Sequence, residues 1–136
     1  MLAGASLPIC YGPAMTQIET DRLLLRRWQD DDLERLVALY GWPGPDKVEV
    51  GWDLHPSVWG QGLATEGARA ALGYGFDVVG LERIISTARS DNAASRRVME
   101  KCGLAFQEEF THKGALVAWY AIDRADWQAS QVAPSP

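Results

Sequence analysis

The sequence predicts a mixed α/β fold built on one sheet, and three stretches carry that prediction. Val48, Val50, Trp52 and Leu54 alternate with Glu49, Gly51, Asp53 and His55, the period of a strand with one apolar face. Trp59-Gly60-Gln61-Gly62-Leu63-Ala64 is then a glycine turn that runs straight into a stretch rich in small residues. Arg83-Ile84-Ile85-Ser86-Thr87-Ala88 reads as a further strand. Strands and helices that alternate in this way give a single sheet flanked by helices.

The remaining elements follow in chain order. The 136 residues suit one domain. Residues 1–14 are uncharged and hold Gly4, Pro8, Gly12 and Pro13, so a disordered extension is expected there, with Met15 as the functional start. They lack the positive start and long apolar centre of a secretory signal. The domain is expected over 15–128 and a disordered tail over 129–136. Ile18 to Trp28 reads as a strand around Leu23-Leu24-Leu25. Asp31 and Glu34 fit a capping box, and Leu33, Leu36, Val37 and Tyr40 recur at helical spacing, which predicts a short helix from about Asp32 to Tyr40. Gly41-Trp42-Pro43-Gly44-Pro45-Asp46 cannot continue it. After the central strand, which Pro56 ends, Ala64 to about Val79 reads as a helix. Ala64, Gly67, Ala68, Ala71 and Gly75 share one stripe of it. Each glycine costs a helix about 1 kcal/mol against alanine, a cost carried where a neighbour must approach closely. Gly80 is its stop. Asp91 or Asn92 caps the next helix, which runs to Lys101 or Cys102 and stops at Gly103. Phe106 to Thr111 and Leu116 to Ile122 are the last two strands, joined around Lys113-Gly114.

Composition narrows the function classes. Apolar residues make up 47% of the chain, enough for a core, and six Trp are available to pack it or to line a cleft. A net charge of −5 argues against a protein that coats nucleic acid. No apolar run approaches the roughly 20 residues that cross a bilayer, so no membrane partner is expected. Cys10, Cys102, His55 and His112 form no metal-ligand spacing, so no metal is expected. A reduced, cytoplasmic chain is the simpler reading of the two cysteines.

Gly60 and Gly62 strip side chains from a turn whose N–H groups, with those of the helix start, have no partner within the helix. The helix dipole adds partial positive charge there, which favours an anion. From the loop alone two readings stay open: a phosphate cradle, or a tight turn without ligand. It is neither a dinucleotide fingerprint nor a P-loop, because the third Gly of the one and the Gly-Lys-Ser/Thr of the other are absent.

The wider pattern adds to this. Val48-Glu49-Val50-Gly51-Trp52 followed by Trp59-Gly60-Gln61-Gly62-Leu63-Ala64-Thr65-Glu66 resembles the acetyl-CoA motif of the GNAT superfamily of N-acetyltransferases. It is most similar to the branch that acetylates N-termini of ribosomal proteins. Asn92-Ala93-Ala94-Ser95 and then Val98-Met99-Glu100-Lys101-Cys102-Gly103-Leu104 resembles that family's next motif. Glu19-Thr20-Asp21-Arg22-Leu23-Leu24-Leu25-Arg26 is similar to the opening of the branch. The pieces stand in the family's order over most of residues 18–127.

The resemblance implies a GNAT-like acyl-CoA N-acyltransferase fold. It also implies transfer of an acetyl group from acetyl-CoA to a primary amine, either a protein N-terminus or a small amine. The pyrophosphate would rest on backbone N–H groups of Gln61, Gly62, Leu63 and Ala64, in the loop opened by Trp59 and Gly60 and with Thr65 near it. The pantetheine arm would pair with the backbone of Val50, Trp52 and Leu54 like an added strand. Asn92 would hydrogen-bond the pantetheine or the attacking region, and Ser95 would lie near the thioester sulfur. Glu49 is the candidate base, a solvated or salt-bridged strand Glu being the alternative; His55 is a weaker second base. The family's usual acid, a tyrosine, is replaced here by Met99, which leaves Ser95 or water. Arg96 and Arg97 are either contacts to the ribose phosphate or a solvated helix face. Trp52 and Trp59 wall the cleft or pack the core, and Cys102 is a small buried hydrophobe.

The family places a further helix and two strands before the central strand, and Gly41 to Asp46 cannot hold them. A truncated acceptor side is therefore expected, with a homodimer completing the sheet or pocket. The alternative function is an acyl-CoA-binding or dimerisation module with little or no catalytic activity.

Overall fold

Residues 6–9, 17–27, 35–41, 48–54 and 56–132 are described by the structure, a computed structural model. Met15, Cys10, His55, the Asp31/Glu34 pair, the link 42–47 and the end of the tail, 133–136, lie outside them.

Three short strands come first: β1 (Ser6–Ile9), β2 (Gln17–Glu19) and β3 (Leu24–Arg27), in the order β1-β3-β2. β1 falls in the stretch expected to be an irregular extension; it runs parallel to β3. The one strand expected from Ile18 to Trp28 is thus two, broken at Thr20–Leu23. The break has a local cause. Thr20 N–H donates to the Leu23 carbonyl at 2.9 Å, and Leu23 N–H donates back to the Thr20 hydroxyl at 3.0 Å. That is a side-chain-closed turn, for which threonine competes with the ladder.

The main sheet holds β4 (Arg35–Gly41), β5 (Val48–Leu54), β6 (Arg83–Arg89), β7 (Ala105–His112) and β8 (Ala115–Asp123), in the order β4-β5-β6-β8-β7. β4 corrects the helix expected up to Tyr40. It lies antiparallel to β5, with Ala38 opposite Gly51 along a seven-residue register. Leu36, Val37 and Tyr40 fit helical spacing, yet Leu36 to Tyr40 is an unbroken apolar run that suits a buried strand equally. A full ladder with the central strand outweighs a weak local preference. β5 therefore has a strand on its outer side, supplied by residues expected to be helical.

Three helices pack on the sheet face that carries Val48, Val50, Ile84, Ser86, Ala118 and Tyr120: α1 (Leu63–Gly73), α2 (Ala93–Lys101) and α3 (Arg124–Gln131). α1 continues as a wider π-type turn over Tyr74–Val79 and stops at Gly80, whose φ is +83°. Its stripe of small residues has the expected role. Gly67, Ala68 and Ala71 are buried, and Ala68 and Ala71 have no exposed surface, so the helix backbone lies close on the sheet. Asn92 caps α2, its side-chain oxygen accepting from Ser95 N–H at 3.1 Å. Lys113 and Gly114, both at positive φ, make the tight hairpin between β7 and β8. α3 was not anticipated. It is anchored by Trp127, which stacks on Phe76 with ring centroids 5.9 Å apart.

Candidate functional site

β5 and β6 are parallel neighbours that meet at one register position, Glu49 opposite Ile85. From there they part. β6 instead pairs along its whole length with β8, from Arg83 opposite Asp123 to Arg89 opposite Val117. Where the next β5–β6 bond would fall, the buried Ser86 hydroxyl donates to the Val50 carbonyl at 2.8 Å. The backbone groups of Val50 therefore face β6. By the two-residue period of a strand, so do those of Trp52 and Leu54. The result is a wedge whose apex is Glu49 and whose β5 edge offers its strand-like N–H groups, the Val50 and Leu54 carbonyls already accepting from Ser86 and Trp59. Glu49 is half-buried, and Thr87 of β6 donates its hydroxyl to the Glu49 carboxylate at 2.8 Å.

The glycine loop lies at the end of β5. A short helical turn, Pro56–Val58, leads to Trp59, whose indole N–H donates to the Leu54 carbonyl at 2.7 Å and closes the excursion from the strand. Trp59 is 66% exposed, which removes the core-packing alternative for it. Trp52 does pack partly on the core. Gly60 and Gly62 both have φ of +75°, a conformation that side chains with a Cβ rarely adopt. The first bond of α1 runs from Glu66 N–H to the Gly62 carbonyl at 3.0 Å. The N–H groups of Leu63, Ala64 and Thr65 consequently have no partner within the helix, and Gly62 caps it without a side chain. The N–H groups of Leu63, Ala64 and Thr65 thus stand together at the positive end of a helix that follows β5 through this loop. Such a place suits a phosphate group.

Sequence reasoning assigned no role to the cluster that grips this loop from outside. Arg22 donates from Nε to Glu66 Oε1 at 2.8 Å, from Nη1 to the Gln61 carbonyl at 2.7 Å, and from its backbone N–H to Glu66 Oε2 at 3.0 Å. The Thr20 hydroxyl donates to the same Oε2. Burial pushes the Glu66 carboxyl up, but the bonds from Thr20 and Arg22 and the guanidinium charge outweigh it. Its pKa lies below the ordinary carboxylate value. Thr20 and Arg22 also line a cleft of about 570 Å³ with Gly62, Thr65 and Arg69. The partners lie 39 to 46 residues apart, so no local pattern joins them. The one trace in the sequence is the opening Glu19-Thr20-Asp21-Arg22 motif, whose resemblance gives these side chains no role.

The other candidates are distributed as follows. Asn92 and Ser95 share the cap of α2; the capping bond occupies the Asn92 oxygen, while Asn92 is exposed and Ser95 half-buried. Met99 is 1% exposed and belongs to the core. Arg96 is committed to structure: it donates to the Tyr120 hydroxyl at 3.0 Å and the Ser90 carbonyl at 2.8 Å, and lies over the Phe106 and Tyr120 rings. Arg97 remains an exposed helix residue. Cys102 is buried, and burial pushes its thiol up to about 11 despite Arg69 and Lys101 nearby, so it stays protonated at neutral pH. Among the described residues no group of three or more His, Cys, Asp or Glu side chains is arranged to hold a metal ion.

Comparison with known proteins bears on the same stretch. A family model described as an acetyltransferase (GNAT) domain matches residues 37–105, just over half of the chain, from within β4 to the first residue of β7. FsC-acetyl coenzyme A-N(2)-transacetylase of Aspergillus fumigatus is 44% identical over 68 residues, which is 50% of this chain and 29% of that protein. YnaD, an uncharacterized N-acetyltransferase of Bacillus subtilis, is 39% identical over 75 residues, 55% of this chain and 44% of that protein. The chain thus spans less than half the length of these curated relatives. A solved acetyltransferase of the GNAT family from Bacillus anthracis superposes with a TM-score of 0.61 at 34% identity, covering 65% of this chain and 57% of that one.

Proposed function

The chain belongs to the acetyltransferase (GNAT) domain family, and on that premise we propose that it moves an acetyl group from acetyl-CoA to a primary amine. The observation that carries the reading is the glycine loop at the head of α1, opening beside the wedge between β5 and β6. The two features suit the two chemically different parts of one ligand. The N–H groups of Gln61 to Ala64, with Thr65 near, take the pyrophosphate, and the β5 edge at Val50, Trp52 and Leu54 takes the amide-bearing pantetheine as a strand would.

The thioester carbonyl then comes toward the apex of the wedge. The neutral amine attacks that carbon. The C–N bond forms as the C–S bond breaks, and CoA leaves as thiolate. Glu49, held by the Thr87 hydroxyl, takes the proton released by the amine, directly or through one water. Asn92, through its amide N–H, holds the pantetheine. Ser95 or water protonates the thiolate, since the buried Met99 has no proton to give. The acceptor is a protein N-terminus, as in the ribosomal-protein branch, or a small amine. A second copy of the chain completes the acceptor side; a strictly monomeric species in light scattering at high concentration overturns that part.

A second reading has its own support in Met99: a domain that binds acetyl-CoA with little or no turnover. Calorimetric titration with acetyl-CoA, followed by thiol release over a panel of amines and peptides, separates the two. Binding with thiol release supports the transferase, and binding without it the module. Absence of binding overturns both.

A further inference from the structure

Two glycines let the loop adopt its left-handed bends and equally let it leave them. Nothing lies within 4 Å of where a Cβ on Gly60 would stand, so packing does not hold that residue. A cradle of N–H groups that must be ordered at the moment of binding loses affinity to that ordering. The sequence between the glycines is a single residue, Gln61, and its carbonyl is gripped from outside the loop by Arg22 Nη1 at 2.7 Å. The same guanidinium holds Glu66, in the first turn of α1, through Nε at 2.8 Å. A planar fork that bonds both at once fixes the loop relative to the helix it feeds. The peptide unit is planar and trans. A Gln61 carbonyl turned toward Arg22 therefore turns the Gly62 N–H to the opposite side.

We propose that Arg22 is the positioning residue of this cradle: it locks the Gln61–Gly62 peptide so that the Gly62 N–H is aimed for a pyrophosphate before the ligand arrives. The proposal rests on the acetyl-CoA reading above. Glu66 and Thr20 are its anchors, and Arg22 acts through the loop backbone.

Arg22→Lys tests it in the intact chain. Lysine keeps a cation beside Glu66 but, as a single ammonium, cannot hold Glu66 and the Gln61 carbonyl in one plane. The expected result is acetyl-CoA affinity weakened about tenfold, the effect of one lost charge-assisted bond. Affinity for S-acetylpantetheine, which has no pyrophosphate, stays within about twofold. Thermal unfolding stays cooperative. Two results overturn the proposal: Arg22→Lys that binds acetyl-CoA as the unsubstituted chain does, or an equal loss for both ligands, which marks a merely structural arginine. If the unsubstituted chain itself fails to bind acetyl-CoA, the reading above falls and this proposal with it.

Discussion

The stretch from β5 to α2 and the stretch ahead of β5 obey different rules, although both build the same sheet. In the first, punctuation is local. Gly60 and Gly62 make the turn, Asn92 caps α2, and Gly80 and Gly103 stop the helices at positive φ. Each signal acts within a few residues, and each element lies where such signals put it. Ahead of β5 the decisive partners are remote. β4 is a strand because β5 pairs with it, and the Thr20–Leu23 turn is clamped by Glu66, 44 to 46 residues away. Local rules thus suffice for the proposed CoA side, while the side ahead of it is specified by what it docks on.

The largest expected effect breaks the first region at its centre. Gly62→Leu puts a side chain on a residue with φ of +75°, with its Cβ 3.5 Å from Arg22 Nη2. The strain is about 1–2 kcal/mol, and the branched chain bars a phosphate from the backbone. Calorimetric binding of acetyl-CoA should vanish while the protein remains folded by circular dichroism. Retained binding would separate the loop from CoA altogether.

Glu49 comes next. Glu49→Gln keeps the size of the side chain and its ability to accept from Thr87. Acetyl-CoA affinity should hold, and turnover should fall by roughly 10²–10⁴, the usual contribution of a general base. An unchanged rate at all pH values discards Glu49 as the base and favours a solvated strand residue.

What was legible follows from the same contrast. The order of strands and helices from residue 48 to 123 could be read because period, caps and glycine stops agree there. The glycine loop and Glu49 could be read for the same reason, and β5 and β6 bring them to one wedge. Three things could not be read. The apolar run Leu36–Tyr40 within Arg35–Gly41 also fits helical spacing, and so short a run does not decide between helix and strand. α3 buries one residue, Trp127, and one anchor gives no period. For Trp59 the sequence leaves cleft wall and core packing both open, and only the fold decides against the core: its indole N–H serves the Leu54 carbonyl and its ring is exposed.

The β4 correction can itself be tested by proline. Val50 faces β6, so Gly51 faces β4, and Ala38 opposite it faces back toward β5. Ala38→Pro then removes a ladder bond, at about 3 kcal/mol or more. Leu39→Pro removes an N–H that points away from β5 on an edge strand and costs less. Chemical denaturation should show that alternation. Equal losses at both positions indicate the helix, in whose interior either proline breaks a bond.

The smallest effect lies at the contact between the two regions. Glu66→Gln removes the charge that holds Arg22, and with Arg22 about a third exposed the loss is only about 1 kcal/mol at neutral pH. Its pH dependence is more telling than its size. The Glu66 carboxyl has a folded pKa below its unfolded value of about 4.3. Its contribution is therefore present in full above that value and is lost as pH falls through the lower, folded one. The stability difference between the two proteins should be constant from about pH 7 to 5 and shrink below about pH 4. A difference that persists unchanged in acid would mean that the Glu66 carboxylate is not what ties the Thr20–Leu23 turn to the glycine loop.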